Sequence, residues 1–197
     1  KITGKQITNC NVDLCDLEKT KKVFVENPGI QGIIHFAALK SVPESVQNPE
    51  LYYHNNLRSL ENILLCIKEC GVKYFIFSSS CSVYGNIEKL PVNENTPLPK
   101  AQSPYGHTKQ EGERLIAEFS KGNPATRSIA LRYFNPAGAH TSGMIGEVPI
   151  GNILNIIPAI TQTAIGKREC LNVFGSDYNT RDGSCVRDYV HVSDIAH

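Results

Sequence analysis

No Gly-x-Gly-x-x-Gly turn occurs anywhere in the 197 residues. Between a strand and a helix, such a turn presents backbone N–H groups and a helix N-terminus to a dinucleotide pyrophosphate, so this sequence carries no phosphate cradle of that kind. Cys-x-x-Cys pairs are also absent, although there are seven cysteines, at positions 10, 15, 66, 70, 81, 170 and 185. An odd count without paired spacing argues against a disulfide framework and against a zinc site, and no metal is expected. Cys66 and Cys70, one helical turn apart, read as small core-facing thiols in a reducing compartment, so the cytoplasm is the expected location. Apolar runs such as Gly32-Ile33-Ile34 and Phe75-Ile76-Phe77 are far too short to span a bilayer. Lys1-Ile2-Thr3-Gly4 lacks the charged-then-apolar pattern of a leader. There is little excess charge: a net +1 recommends neither nucleic acid nor an anionic membrane as a partner. What remains, 41% hydrophobic and 20% charged residues, is the composition of a globular protein with length for one good domain or one and a half small ones.

The pattern that is present alternates short apolar strands with amphipathic helices. Ile7 to Val12 reads as a strand, and Asp16 caps a helix running to Val25. Gly32 to Phe36 is a short strand of continuous apolar character, as in a parallel sheet. Pro49 to Cys70 is a long helix, with a stripe at Leu57, Leu60, Ile63, Leu64 and Ile67. Tyr74 to Phe77 and Arg127 to Arg132 are further core strands, separated by a helix from Ser103 to Phe119. Pro91, Pro97 and Pro99 keep Asn86 to Gln102 out of helix. From about Ala137 the alternation fades. Gly143, Gly146, Pro149 and Gly151 mark a loop, Ile153 to Ile165 a helix and Leu171 to Phe174 a short strand, while Asp194-Ile195-Ala196-His197 reads as the first turn of a helix.

The chemistry concentrates between Ser78 and Lys109. The strand Tyr74 to Phe77 runs straight into Ser78-Ser79-Ser80-Cys81-Ser82, and the later helix opens Ser103-Pro104-Tyr105-Gly106-His107-Thr108-Lys109. Tyr105 and Lys109, four residues apart, share a helix face and can enter one pocket. A free tyrosine, with a pKa near 10, is a poor base at neutral pH. A nearby ammonium favours the phenolate, so Lys109 is expected to lower the pKa of Tyr105 while Ser80 hydrogen-bonds the same substrate oxygen. The arrangement suits proton transfer coupled to hydride transfer.

Ser80 with Tyr105-x-x-x-Lys109 resembles the catalytic triad of the extended short-chain dehydrogenase/reductase superfamily. Within it the sequence is similar to the UDP-glucose 4-epimerase (UDP-galactose 4-epimerase) family. The pieces that carry the likeness are His35-Phe36-Ala37-Ala38-Leu39-Lys40, Glu44-Ser45-Val46, Tyr52-Tyr53-His54-Asn55-Asn56, Ser103-Pro104-Tyr105-Gly106, Arg132-Tyr133-Phe134-Asn135-Pro136 and Val186-Arg187-Asp188-Tyr189-Val190-His191-Val192. They span nearly the whole chain in the family's order. The resemblance implies an α/β fold: a Rossmann-like parallel sheet with flanking helices over residues 1–136, without its N-terminal strands, and the start of a smaller substrate-binding α/β domain over 137–197. Against the family pattern the first strand, glycine turn, helix and second strand are not in the sequence, and the C-terminal part is not either. The sequence is therefore expected to be a fragment, and inactive alone.

The implied reaction is inversion at carbon 4 of a UDP-hexose through a 4-keto intermediate, with NAD as cofactor, in galactose metabolism. Ser80, Tyr105 and Lys109 are the implied catalytic residues. Asp13 and Leu14 would meet adenine; Phe36, Ala37, Ala38, Lys40, Asn55, Ser78, Tyr105, Lys109 and Phe134 complete the implied cofactor contacts. Lys40, Ser80, Tyr105, Asn135, Asn155, Ile156, Asn172, Phe174 and Arg187 are the implied substrate contacts, with the planar fork of Arg187 suited to phosphate oxygens. Asp13 as a plain turn residue and Arg187 paired with Asp188 stand as alternatives. The implied partner is the UDP-hexose, with a homodimer formed through helices 49–70 and 103–120. Related 4,6-dehydratases carry an Asp-Glu pair after the serine, where this sequence has Cys81 and Ser82, so elimination lacks an acid–base pair. A UDP-N-acetylglucosamine 4-epimerase and a catalytically dead nucleotide-sugar-binding remnant remain as alternatives.

Overall fold

A computed structural model of the chain describes residues 2–149, 153 and 155–197. Its first body, Ile7–Tyr133, is built on three parallel strands in the order β1 (Gly32–His35), β2 (Tyr74–Ser78), β3 (Arg127–Leu131). Ile33 pairs with Phe75, and Ile76 with Ile129, so all three carboxyl ends lie along one edge. These are the three core strands expected from the sequence, in one sheet.

Helices fill the crossovers. Helix α1 (Leu17–Glu26) starts where the Asp16 carboxylate accepts from Lys19 N–H, and α2 (Val42–Gln47) where Ser41 accepts from Glu44 N–H. Helix α3 (Pro49–Cys70) ends at Gly71, whose φ of 65° is a left-handed conformation that glycine adopts without the steric cost of a β-carbon. Helix α4 (Pro104–Gly122) begins at Ser103, which accepts from Gly106 N–H. One face of the sheet, carrying Phe75 and Phe77, packs with Leu60, Ile63, Leu64 and Ile67 of α3, Ile116 of α4 and Phe24 of α1. Close approach of α4 is possible because residue 112 is glycine: a β-carbon there would stand 2.7 Å from Phe77 Cζ and 3.3 Å from Leu60 Cδ2. That seating places the opening turns of α4, with Tyr105 and Lys109, over the carboxyl ends of the strands.

The second body is Phe134–His197 with the residues that precede Ile7. It holds β4 (Asn135–Ala137) paired in parallel with β5 (Tyr189–His191), helix α5 (Ile156–Ala164) and a short α6 (Val192–Ala196). Two expected strands do not form. Ile7 to Val12 is irregular, with Ile7 79% exposed, and Leu171 to Phe174 is irregular, with Phe174 96% exposed. An apolar run becomes a strand only where a neighbour pairs its backbone, and neither run has one among the described residues. Gly151, part of the expected loop, lies outside the described residues.

Candidate active site

The hydroxyl-rich exit of β2 is shaped by Ser80. Its side chain accepts from Ser82 N–H at 3.2 Å, starting the short 3₁₀ turn Cys81–Tyr84, and its Oγ lies 2.6 Å from Ser82 Oγ. Cys81 N–H donates to Tyr133 O at 2.8 Å, fastening this turn to the exit of β3. Tyr105, half-buried in the first turn of α4, faces both hydroxyls. Burial pushes its phenol above the ordinary tyrosine value, Cys81 adds to the rise, and hydrogen bonds with Ser80 and Ser82 pull against it.

Lys109 sits one turn further on and is only 4% exposed. Its ammonium donates to Ser78 O at 2.7 Å and lies 4.9 Å from the centre of the Phe77 ring and 5.7 Å from that of Tyr105. A carbonyl and two aromatic faces offset part of the lost hydration of a buried cation. The remaining penalty holds its pKa down to about 8. The expected tuning of Tyr105 by Lys109 is therefore corrected. The phenol is raised rather than lowered, because desolvation outweighs its hydrogen bonds and the ammonium is directed at Ser78.

The exit of β1 forms the other wall. His35 is buried against Phe77, ring centres 6.1 Å apart and stacked, with its Nε2 unpartnered. Burial, with the charge of Lys109, lowers its pKa to about 4. Phe36 beside it is 62% exposed, Ala37 and Lys40 are exposed and Ala38 half-buried. This loop is held from behind. The Asn56 amide donates to Leu39 O at 3.0 Å and to Thr108 Oγ1 at 3.2 Å, and its Oδ1 accepts from Leu39 N–H at 2.8 Å. The Tyr52 hydroxyl accepts from Ser41 N–H at 3.0 Å and donates to Glu44 at 2.7 Å. Asn55, half-buried, gives its amide to Asn56 at 3.0 Å. Asp13 accepts from Cys15 N–H at 2.9 Å, the bond of a turn residue, and Leu14 packs at the edge of the core.

The first body thus brings together Ser78, Ser80, Tyr105 and Lys109, with the Phe36–Lys40 loop at the same sheet edge. The remaining expected contacts lie in the second body, where the polar ones bond to groups of that same body. Asn135 donates its amide to Asp188 O at 2.7 Å, Cys170 donates to Asn172 at 3.5 Å, and Arg187 reaches Cys185 Sγ at 3.9 Å rather than Asp188. Asn155 donates to Glu147 and precedes α5, which opens with Ile156, while Phe134 and Phe174 are exposed. Sequence reasoning missed Ser79, Glu113 and Arg132, which form a partly buried cluster beside Ser80. Glu113 lies four residues beyond Lys109, so its place on the same helix face was readable.

The family model for the NAD dependent epimerase/dehydratase family matches residues 2–197. The chain belongs to that family. It is 47% identical over 196 residues to a UDP-glucose 4-epimerase of Pasteurella multocida and 48% over 198 to one of Caenorhabditis elegans. All of this chain is covered in both comparisons, against 58% and 56% of the relatives, so it spans a little over half the length of the curated proteins it matches. Among solved structures, the UDP-glucose 4-epimerase of Bifidobacterium longum in complex with NAD+ and UDP superposes with a TM-score of 0.93 at 44% identity, over 99% of this chain and 58% of that one. The parallel sheet with flanking helices is thus the Rossmann-like fold of these epimerases.

Proposed function

We propose that the full-length protein interconverts UDP-glucose and UDP-galactose by inversion at carbon 4 of the hexose. The observation that carries this reading is the convergence of Ser80, Tyr105 and Lys109 at the carboxyl edge of the parallel sheet, in a chain related as above to UDP-glucose 4-epimerases. NAD fits the ledge at the end of β1. The exposed Phe36 ring and the small Ala37 and Ala38 offer a largely apolar surface to a nicotinamide ring, with Lys40 exposed beside it. When bound, NAD supplies a hydride acceptor that returns the hydride.

The chain's own residues manage the proton. As the phenolate, Tyr105 Oη takes it from the sugar 4-hydroxyl and, as the phenol so formed, gives it back to the 4-keto oxygen, while Ser80 Oγ hydrogen-bonds that oxygen in both directions. Lys109 locks α4 to Ser78 and keeps a positive charge beside the phenol. Closure of the site against water strengthens each of these interactions. In this reading cofactor work falls to residues 1–136 and nucleotide-sugar work to 137–197, with Asn155, Ile156, Asn172, Phe174 and Arg187 meeting UDP. A homodimer through helices 49–70 and 103–120 belongs to it as well, supported by the exposed Leu51 and Leu65 on α3. So does a cytoplasmic location, supported by Cys66, a thiol buried in the core.

The dehydratase reading is disfavoured. Ser82 is engaged with Ser80, and the carboxylate bonded to neighbouring Ser79, Glu113, has both oxygens held by Arg132. The test is to incubate full-length protein with NAD and UDP-galactose and to measure UDP-glucose, with UDP-N-acetylglucosamine in parallel. Tyr105→Phe should reduce turnover by roughly a thousandfold with UDP binding retained. Retained turnover would remove Tyr105 from the proton path.

A further inference from the structure

Among the ion pairs of the described residues, only Glu113–Arg132 is withdrawn from water, with side chains 13% and 19% exposed; in the other pairs exposures run from 29% to 71%. Removing two ions from water is costly, and apolar packing of the same volume commonly stabilises as well or better, so a buried pair is poor evidence of a stabilising device. Its position gives another reason. Arg132, just past β3, grips Glu113 in a fork, Nη2 to Oε2 at 2.7 Å and Nε to Oε1 at 2.9 Å. The same carboxylate accepts from the Ser79 hydroxyl, and Arg132 Nη1 donates to the Tyr84 hydroxyl at 3.0 Å. Ser79 precedes Ser80, and Tyr84 closes the turn that Ser80 opens. Glu113 is carried by the helix that carries Tyr105 and Lys109. One charge cluster therefore ties the helix bearing the phenol to both sides of the serine that must meet it.

We propose that Glu113, clamped by Arg132, is a positioning residue that sets the Ser80 hydroxyl against Tyr105 through its bond to Ser79. The proposal rests on the reading of Ser80 and Tyr105 as the proton-handling pair. Arg132 serves by fixing the carboxylate's orientation; neither residue touches substrate.

The test uses full-length protein. Ser79→Ala deletes only the hydroxyl that links the carboxylate to the strand exit and leaves the ion pair in place. Since a misplacement on the order of 1 Å costs roughly a hundredfold, Ser79→Ala should lower kcat by about tenfold and Glu113→Gln by about a hundredfold, with KM for UDP-galactose unchanged. Glu113→Asp, too short to span the gap, should resemble the glutamine variant. The decisive comparison adds Ser79→Ala to Ser80→Ala. A residue acting through Ser80 costs nothing further there, whereas a merely structural role multiplies the two losses and overturns the proposal. A second readout needs no turnover: the ultraviolet titration of the Tyr105 phenol, taken as the difference from Tyr105→Phe. Lys109 on the same helix and Cys81 on the facing turn are unchanged in Ser79→Ala, so a rise in the phenol's pKa reports the loss of Ser80's hydrogen bond. An unmoved titration overturns the proposal even if epimerisation is intact. If full-length protein titrates as described but does not epimerise, the proposed function falls and the positioning role stands. Should Glu113→Gln fail to fold, Ser79→Ala carries both measurements.

Discussion

The two bodies of the chain are ordered by different means. Every buried hydrophobic side chain among the described residues lies in Ile7–Tyr133, from Phe24 to Ile116. In Phe134–His197 the only buried residue described is Pro158 of α5, and Val173, Phe174 and Val186 stand open. The residues proposed to handle the proton belong to the first body and the expected UDP contacts to the second. Acid–base groups need fixed distances and shifted pKa values, which dense packing and burial provide. Groups that grip a ligand can stay solvated until the ligand itself buries them.

The sharpest way to break the contrast is through stability. Phe75→Ala, at a position 1% exposed in the middle of β2, should cost about 3–5 kcal/mol in urea unfolding. A small loss there would mean that the first body is not held by its core.

Next comes acid. The unfolded chain protonates His35 below about 6.5, while the native state resists until about 4. The unfolded state binds more protons in that window, so stability is fully present above pH 6.5 and is lost as pH falls towards 4, by roughly 3 kcal/mol. His35→Phe should flatten that slope in urea midpoints taken across the window. If the slope persists, the buried imidazole is not its source.

Arg187→Ala sharpens the other half. It should weaken UDP binding by about 1.5–3 kcal/mol, the worth of a charge-assisted contact, while leaving the unfolding midpoint nearly unchanged; calorimetric titration and urea unfolding together check this. Smallest of all, Phe174→Ala should alter stability by no more than about 0.5 kcal/mol, since its ring is 96% exposed. A loss approaching that of Phe75→Ala would erase the distinction between the bodies.

Much of the first body was legible because its signals are local. Asp16 caps its helix as the sequence suggested, α4 starts where its pattern opens although Ser103 turns out to be its cap, and the Pro49–Cys70 stripe became the buried face of α3. The α2 helix was overlooked although its signal was present, Ser41 standing three residues before Glu44 whose N–H it accepts. The β4–β5 pair was not legible. Each strand has three residues, one contains Pro136, and the partners are more than fifty positions apart. Ile7 to Val12 and Leu171 to Phe174 show the converse, strand-like runs without a partner to make them strands.

By itself the sequence determined the alternation of strands and helices, the caps, and the presence of Ser80, Tyr105 and Lys109 at spacings that permit a common site. Only the tertiary structure decided their chemistry. That Lys109 turns to Ser78, that Tyr105 is raised rather than lowered, and that Glu113 and Arg132 close on Ser79 all depend on which distant groups share the same small, dry volume. Periodicity and capping act over a few residues along the chain, whereas desolvation and buried hydrogen bonds act through space.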